Sequence, residues 1–110
     1  GIGKDRTRAD HPHVASQLFA AYSKVKDIRS LASVIGEEEL SPVDKLYIKF
    51  GLEFENRVIA QNEFENRTID QTIDLGWDVL KILPRAELLR VSEEELKAHY
   101  DQTAQPETLR

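Results

Sequence analysis

Cysteine and methionine are both absent from this 110-residue chain. Without cysteine there can be no disulfides, thiolate zinc sites or cysteine nucleophiles, and the chain suits a reducing, intracellular setting. Long apolar runs are missing too: the longest stretches are a few residues, against the roughly 20 needed to cross a bilayer. Direct membrane insertion is therefore not expected, and the amino terminus reads without the apolar block of a secretory signal. Nor is there a glycine-rich phosphate loop ending in lysine and a hydroxyl residue. Gly1-Ile2-Gly3-Lys4 lacks that spacing, the preceding strand and the serine or threonine. A net charge of −5 with acids and bases interspersed argues against nucleic acid as a partner. Asn66-Arg67-Thr68 matches a glycosylation sequon, but Thr68 reads better as a helix cap.

What the chain does contain is helical periodicity. Val14, Leu18, Tyr22, Val25, Ile28, Leu31 and Ile35 recur in steps of three and four, which predicts one continuous helix beginning at Asp10 or His11. Pro12 suits its first turn and Gly36 its end, giving a rod of roughly 35 Å at the α-helical rise. A second helix is expected to open at Ser41, with Pro42 in its first position and Asp44 as a capping acid. Its apolar stripe is Val43, Leu46, Tyr47, Phe50, Phe54 and Val58, fading near Gln61-Asn62. Gly51 falls inside that stripe and is expected to allow a neighbouring helix to come close.

Thr68 with Gln71 forms a capping-box pair ahead of a third helix. Its broad apolar face comprises Ile69, Ile73, Gly76, Trp77, Leu80 and Leu83, with Pro84 as its stop or bend. Trp77 is assigned to the core, where its indole N–H requires an acceptor. Arg67 is expected to pin the start of this helix by pairing with Glu65 or another acid. Ser92 with Glu95 is the last capping box, with Val91 and Leu96 as a hydrophobic staple and a short helix reaching His99. The segment Glu-Phe-Glu-Asn-Arg occurs at 53–57 and again at 63–67, but ten residues do not return to the same helical face, so it is read as coincidence.

No run alternates like a strand between hairpin turns. The expected fold is all-α: a helical bundle of three main helices plus short C-terminal helices over residues 1–100, followed by a flexible tail at 101–110. Short connections make the first two helices an antiparallel hairpin with Glu37-Glu38-Glu39 at its tip. Glu93, Glu94 and Glu95 at the start of the last helix are explained by the helix dipole alone. Asp10, His11 and His13 could be drawn as a metal site, yet neighbours at a helix start point in different directions, and local capping is the plainer use.

Gly36-Glu37-Glu38-Glu39-Leu40-Ser41-Pro42-Val43-Asp44, preceded by Leu31-Ala32-Ser33-Val34-Ile35, resembles the acidic loop of rotary ATP synthases that touches the turning central shaft. Glu65-Asn66-Arg67-Thr68-Ile69, then Asp74-Leu75-Gly76-Trp77-Asp78-Val79-Leu80 and Leu83-Pro84, resembles the non-catalytic B subunit of the archaeal and vacuolar type, as do Gly1-Ile2-Gly3 and Thr7-Arg8-Ala9-Asp10-His11. The resemblance runs from Gly1 to about Tyr100. It implies the carboxy-terminal helical domain of a longer subunit, in keeping with the missing initiator methionine.

The resemblance further implies a domain that is not itself an enzyme and holds no cofactor, in a complex that uses ATP or ADP with magnesium. The implied partners are the catalytic A subunits of the ring and the central rotor stalk, on the cytoplasmic side of a membrane. Glu37, Glu38, Glu39, Leu40 and Ser41 are the implied rotor contact. The arginine that reaches the neighbouring catalytic site lies, in this family, before the segment seen here. Related F-type catalytic subunits carry more acids where this chain has Ser41-Pro42-Val43, so packing is expected to share the contact with charge. Two alternatives from other classes are a free-standing helical interaction adaptor and a small metal-dependent enzyme using His11 and His13.

Overall fold

Helix α1 spans His11–Ile35, with Pro12 in its first turn. The computed structural model describes residues 9–60 and 67–101, and no strand occurs among them. Gly36 ends α1 at φ +92°, a conformation that costs a residue with a Cβ, and donates its N–H to the Ala32 carbonyl at 2.7 Å. The chain returns through the 3-10 turn Glu37–Glu39 into helix α2, Pro42–Glu53, which continues as a π-helical segment, Phe54–Ala60.

The two helices run antiparallel. Val25 faces Gly51, and Tyr22 and Arg29 face Glu55. A Cβ built on Gly51 would stand 2.6 Å from Val25 Cγ1, so only glycine lets the two backbones approach this closely. Arg29 donates from both terminal nitrogens to Glu55, at 2.8 and 3.1 Å, and the Tyr22 hydroxyl donates to the same carboxylate. The Arg29 bond, with help from Tyr22, holds the Glu55 carboxyl below the usual range. Phe50 stacks on Phe54 at 5.7 Å, and Tyr22 tilts against Phe54 at 5.2 Å.

Helix α3, Ile69–Leu80, begins at the predicted capping box: Thr68 accepts from the Gln71 N–H while the Gln71 side chain accepts from the Thr68 N–H. It lies against the first half of α1, where Gly76 meets Val14 and Leu18. Ile73, Gly76, Trp77 and Leu80 are buried as expected, and Val79 joins them. Ile69 is exposed, one turn too early to reach α1. The helix ends at Leu80, before Pro84, which instead opens the 3-10 turn Arg85–Glu87. That turn ties to α2 through the Tyr47 hydroxyl, which donates to Glu87 at 2.7 Å. Burial first, and the Glu87 bond second, push the Tyr47 ionisation upward.

The last helical piece, Glu93–Glu95 continued by a π turn at Leu96–Tyr100, starts at the second predicted capping box, with Val91 and Leu96 both buried beneath it. Tyr100 closes it by donating to the Leu83 carbonyl at 2.8 Å. The expected tail lies outside the described residues apart from Asp101, as do Gln61-Asn62, Glu65 and most of the second Glu-Phe-Glu-Asn-Arg copy. Arg67 donates to the carbonyls of Arg57 and Val58, both at 3.1 Å, and so anchors the end of the preceding helix.

One core runs through the bundle, from Val14, Leu18 and Val25 on α1 to Phe50, Trp77, Leu80 and Leu83. Each such side chain contributes about 1.5–3 kcal/mol on burial.

Candidate interaction site at the hairpin tip

Three local rules build the turn between α1 and α2. Gly36 releases the chain from α1. Short i to i+3 bonds, Glu39 N–H to Gly36 and Leu40 N–H to Glu37, both 3.1 Å, curl the three glutamates into a single turn. Ser41 then accepts from the Asp44 N–H at 3.1 Å and restarts the helix, with Pro42 in its first position.

Glu37, Glu38, Glu39 and Ser41 are exposed. Leu40 is not: at 5% exposure it belongs to the core. Its side chain, expected to supply packing to an outside partner, is turned into the bundle and holds the turn to the core. The Ser41 hydroxyl is engaged as the cap, which leaves the three carboxylates as the outward chemistry. None of the three caps a helix. A shallow cleft of about 310 Å³ beside them is lined by Glu37, Glu38, Leu40, Lys45 and Ile48.

The residues considered for a metal separate. Asp10, only 5% exposed, does not cap α1; its carboxylate accepts from the Trp77 indole N–H at 2.9 Å and lies 3.5 Å from His99 Nε2. His99 stacks on Trp77 at 5.0 Å and 16°. His13 instead reaches the Glu95 carboxylate, 2.8 Å from Nδ1. Among the described residues no three metal-ligating side chains converge. These contacts fasten the last short helix to the start of α1. Trp77 thus has the acceptor its burial demands, supplied by a residue that sequence reading assigns to local capping.

Sequence reading also misses Leu31, Val34 and Ile35. Leu31 and Ile35 fall on the predicted buried stripe of α1, yet all three are exposed. Their helical spacing is correct; among the described residues, none covers these three side chains on the last turns of α1. The Arg29, Glu55 and Tyr22 cluster has no local signal, since its members lie 26 and 33 residues apart.

A pocket bearing a nucleophile with its base does not form at the tip; what forms is an exposed acidic turn held by its own backbone bonds. No helix among the described residues is long and apolar enough to cross a membrane.

Residues 1–100 match the family described as the C-terminal domain of V and A type ATP synthase. The chain is similar to the V-type ATP synthase beta chain of Halothermothrix orenii, 59% identical over 100 residues, 91% of this chain and 22% of the relative. It is likewise similar to a beta chain of Clostridium tetani, 56% identical over the same shares of both chains. The B subunit of the A-type ATP synthase of Sulfurisphaera tokodaii is 49% identical over 100 residues, again 91% of this chain and 22% of the relative. The chain thus spans about a fifth of the length of these relatives.

Proposed function

This chain belongs to the family of C-terminal domains of V and A type ATP synthases, on the side of the B subunits, or beta chains, and from that we propose that it is a non-catalytic coupling element. In this reading the turn Glu37, Glu38, Glu39, Leu40 and Ser41 bears on the central rotor stalk, with Leu40 as its inward anchor. Rotation of the stalk and the nucleotide-dependent positions of the ring then bias one another through contacts that differ between states. ATP or ADP with magnesium binds elsewhere in the parent complex, the neighbours in the ring are the catalytic A subunits, and the domain works on the cytoplasmic side of the membrane.

The observation that carries this reading is the tip itself. Three exposed carboxylates sit on a turn fixed by Gly36, Leu40 and Ser41, while much of the acid-rich surface elsewhere is knitted into ion pairs. A turn braced in this way can transmit force without unfolding, and its charge is free for a partner. In the assembled complex, the change Glu37→Lys, Glu38→Lys, Glu39→Lys is expected to lower the number of ions moved per ATP while leaving assembly and the domain's thermal midpoint intact. Unchanged coupling and rotation in that variant would remove the turn from the mechanism.

A further inference from the structure

The chain carries three histidines, and two of them, His13 and His99, meet carboxylates across one seam, where residues 93–100 lie against the start of α1. His13 Nδ1 is 2.8 Å from Glu95 Oε2, and His99 Nε2 is 3.5 Å from Asp10 Oδ2. Exposure divides the partners. The imidazoles are 50% and 34% exposed and can exchange protons with solvent, while the carboxylates are drawn in, Glu95 to 15% and Asp10 to 6%. His99 also stacks on the buried Trp77 ring, whose N–H is bonded to Asp10. One imidazole thus faces both a carboxylate and the π-face of an indole, and each of these attracts a cation.

The other charges around the seam, among the described residues, lean the same way. On one side His99 borders a cleft shared with Asp10, Glu94 and Glu95; on the other it borders one shared with Asp74, Asp78 and Lys81 of α3. Lys81 is 3.7 Å from Asp78, which offsets its repulsion. Near His13 the opposing charge is Arg90, which reaches Ser16 one turn further along α1.

We propose that this seam is a pH-sensitive clasp: protonation of His13 and His99 tightens residues 93–100 onto α1, and deprotonation loosens them. Neutral rings hold the geometry by hydrogen bonding and stacking, but only protonated rings attract Glu95, Asp10 and the indole face as charges. Docking is therefore strong on the acid side of the range in which histidine titrates and weakens as pH rises through it. It weakens again near pH 4, where carboxylates take up protons. The clasp lies at the opposite end of α1 from the turn Glu37–Glu39, so it stands or falls apart from the function proposed for that turn.

Because the chain has a single tryptophan, Trp77 is a reporter inside the clasp. A protonated imidazole stacked on an excited indole accepts an electron from it and quenches its emission, whereas a neutral one does so weakly. In the full chain, Trp77 emission is expected to fall as pH is lowered from about 8 to about 5.5. Over the same range the amide protection of residues 93–100, corrected for the intrinsic exchange rate at each pH, should rise roughly two- to fivefold. His99→Gln should abolish the fall in emission and leave only the share of the rise that His13 supplies. His13→Gln should leave the fall in emission and remove that share, and the double variant should show neither response. Emission and protection that stay flat in the parent chain overturn the clasp, as does a rise in protection that survives in the double variant. A fall in emission with no gain in protection also overturns it, since His99 would then titrate beside Trp77 without holding anything.

Discussion

Glu-Glu-Glu occurs twice in this chain, at Glu37–Glu39 and at Glu93–Glu95, and the two copies do different work. In the second copy Glu93 pairs with Arg85 at 2.7 Å, and Glu95 closes a capping box with Ser92 while receiving His13. Those carboxylates hold the last helix to the bundle. In the first copy the three side chains cap nothing, and the turn is held by its backbone bonds, by Leu40 below and by Ser41 after it. Identical residues thus serve stability at one end and, in the function we propose, recognition at the other. Whether an opposite charge or an orphan N–H lies within reach decides between the two roles.

The largest effect that would sharpen this contrast is expected from Leu40→Ala. Truncating this buried leucine should cost about 2–5 kcal/mol, read as a lowered denaturation midpoint, and should collapse the tip although every glutamate remains. A midpoint near that of the parent chain would mean the turn is held some other way. Next comes Ser92→Ala, which removes the cap under the second copy at about 1 kcal/mol; the same cap loss is the route by which Glu95→Ala acts, and both are measured by chemical denaturation.

A smaller effect depends on pH. Hydrogen bonds from Arg85 hold the Glu93 and Asp101 carboxyls below the usual range. A carboxyl lowered in the folded state adds stability above its unfolded value, near pH 4. That stability is lost as pH falls through the lower folded value, so the thermal midpoint should decline on acidification through that window. Arg85→Gln should flatten the decline, and salt should weaken the whole effect because these groups are exposed. The smallest change is expected from replacing Glu37, Glu38 and Glu39 together by glutamine. Stability should stay within about 0.5 kcal/mol of the parent, and a larger loss would mean that the first copy is structural after all.

Much of the bundle is legible in the sequence. Gly36, Ser41, the Thr68–Gln71 pair and the Ser92–Glu95 pair each mark a helix boundary that the structure bears out, because capping is chemistry between residues three apart. The tip is legible for the same reason. The fate of its flanks is not: Leu40 goes inward, while Leu31, Val34 and Ile35 come out, and periodicity says only that residues share a face, not that anything covers it.

What the sequence by itself determined is where each rod starts and stops, that the rods are helices, and that a glycine must stand at 36 and at 51 to let the chain turn and the helices meet. Tertiary structure alone decided which acids are spoken for and which are not. Asp10 meets Trp77 across 67 positions and His13 meets Glu95 across 82, separations over which no local pattern carries information. Charge and apolar surface take their roles from the neighbours that folding brings to them, and those neighbours are set by packing of the whole bundle.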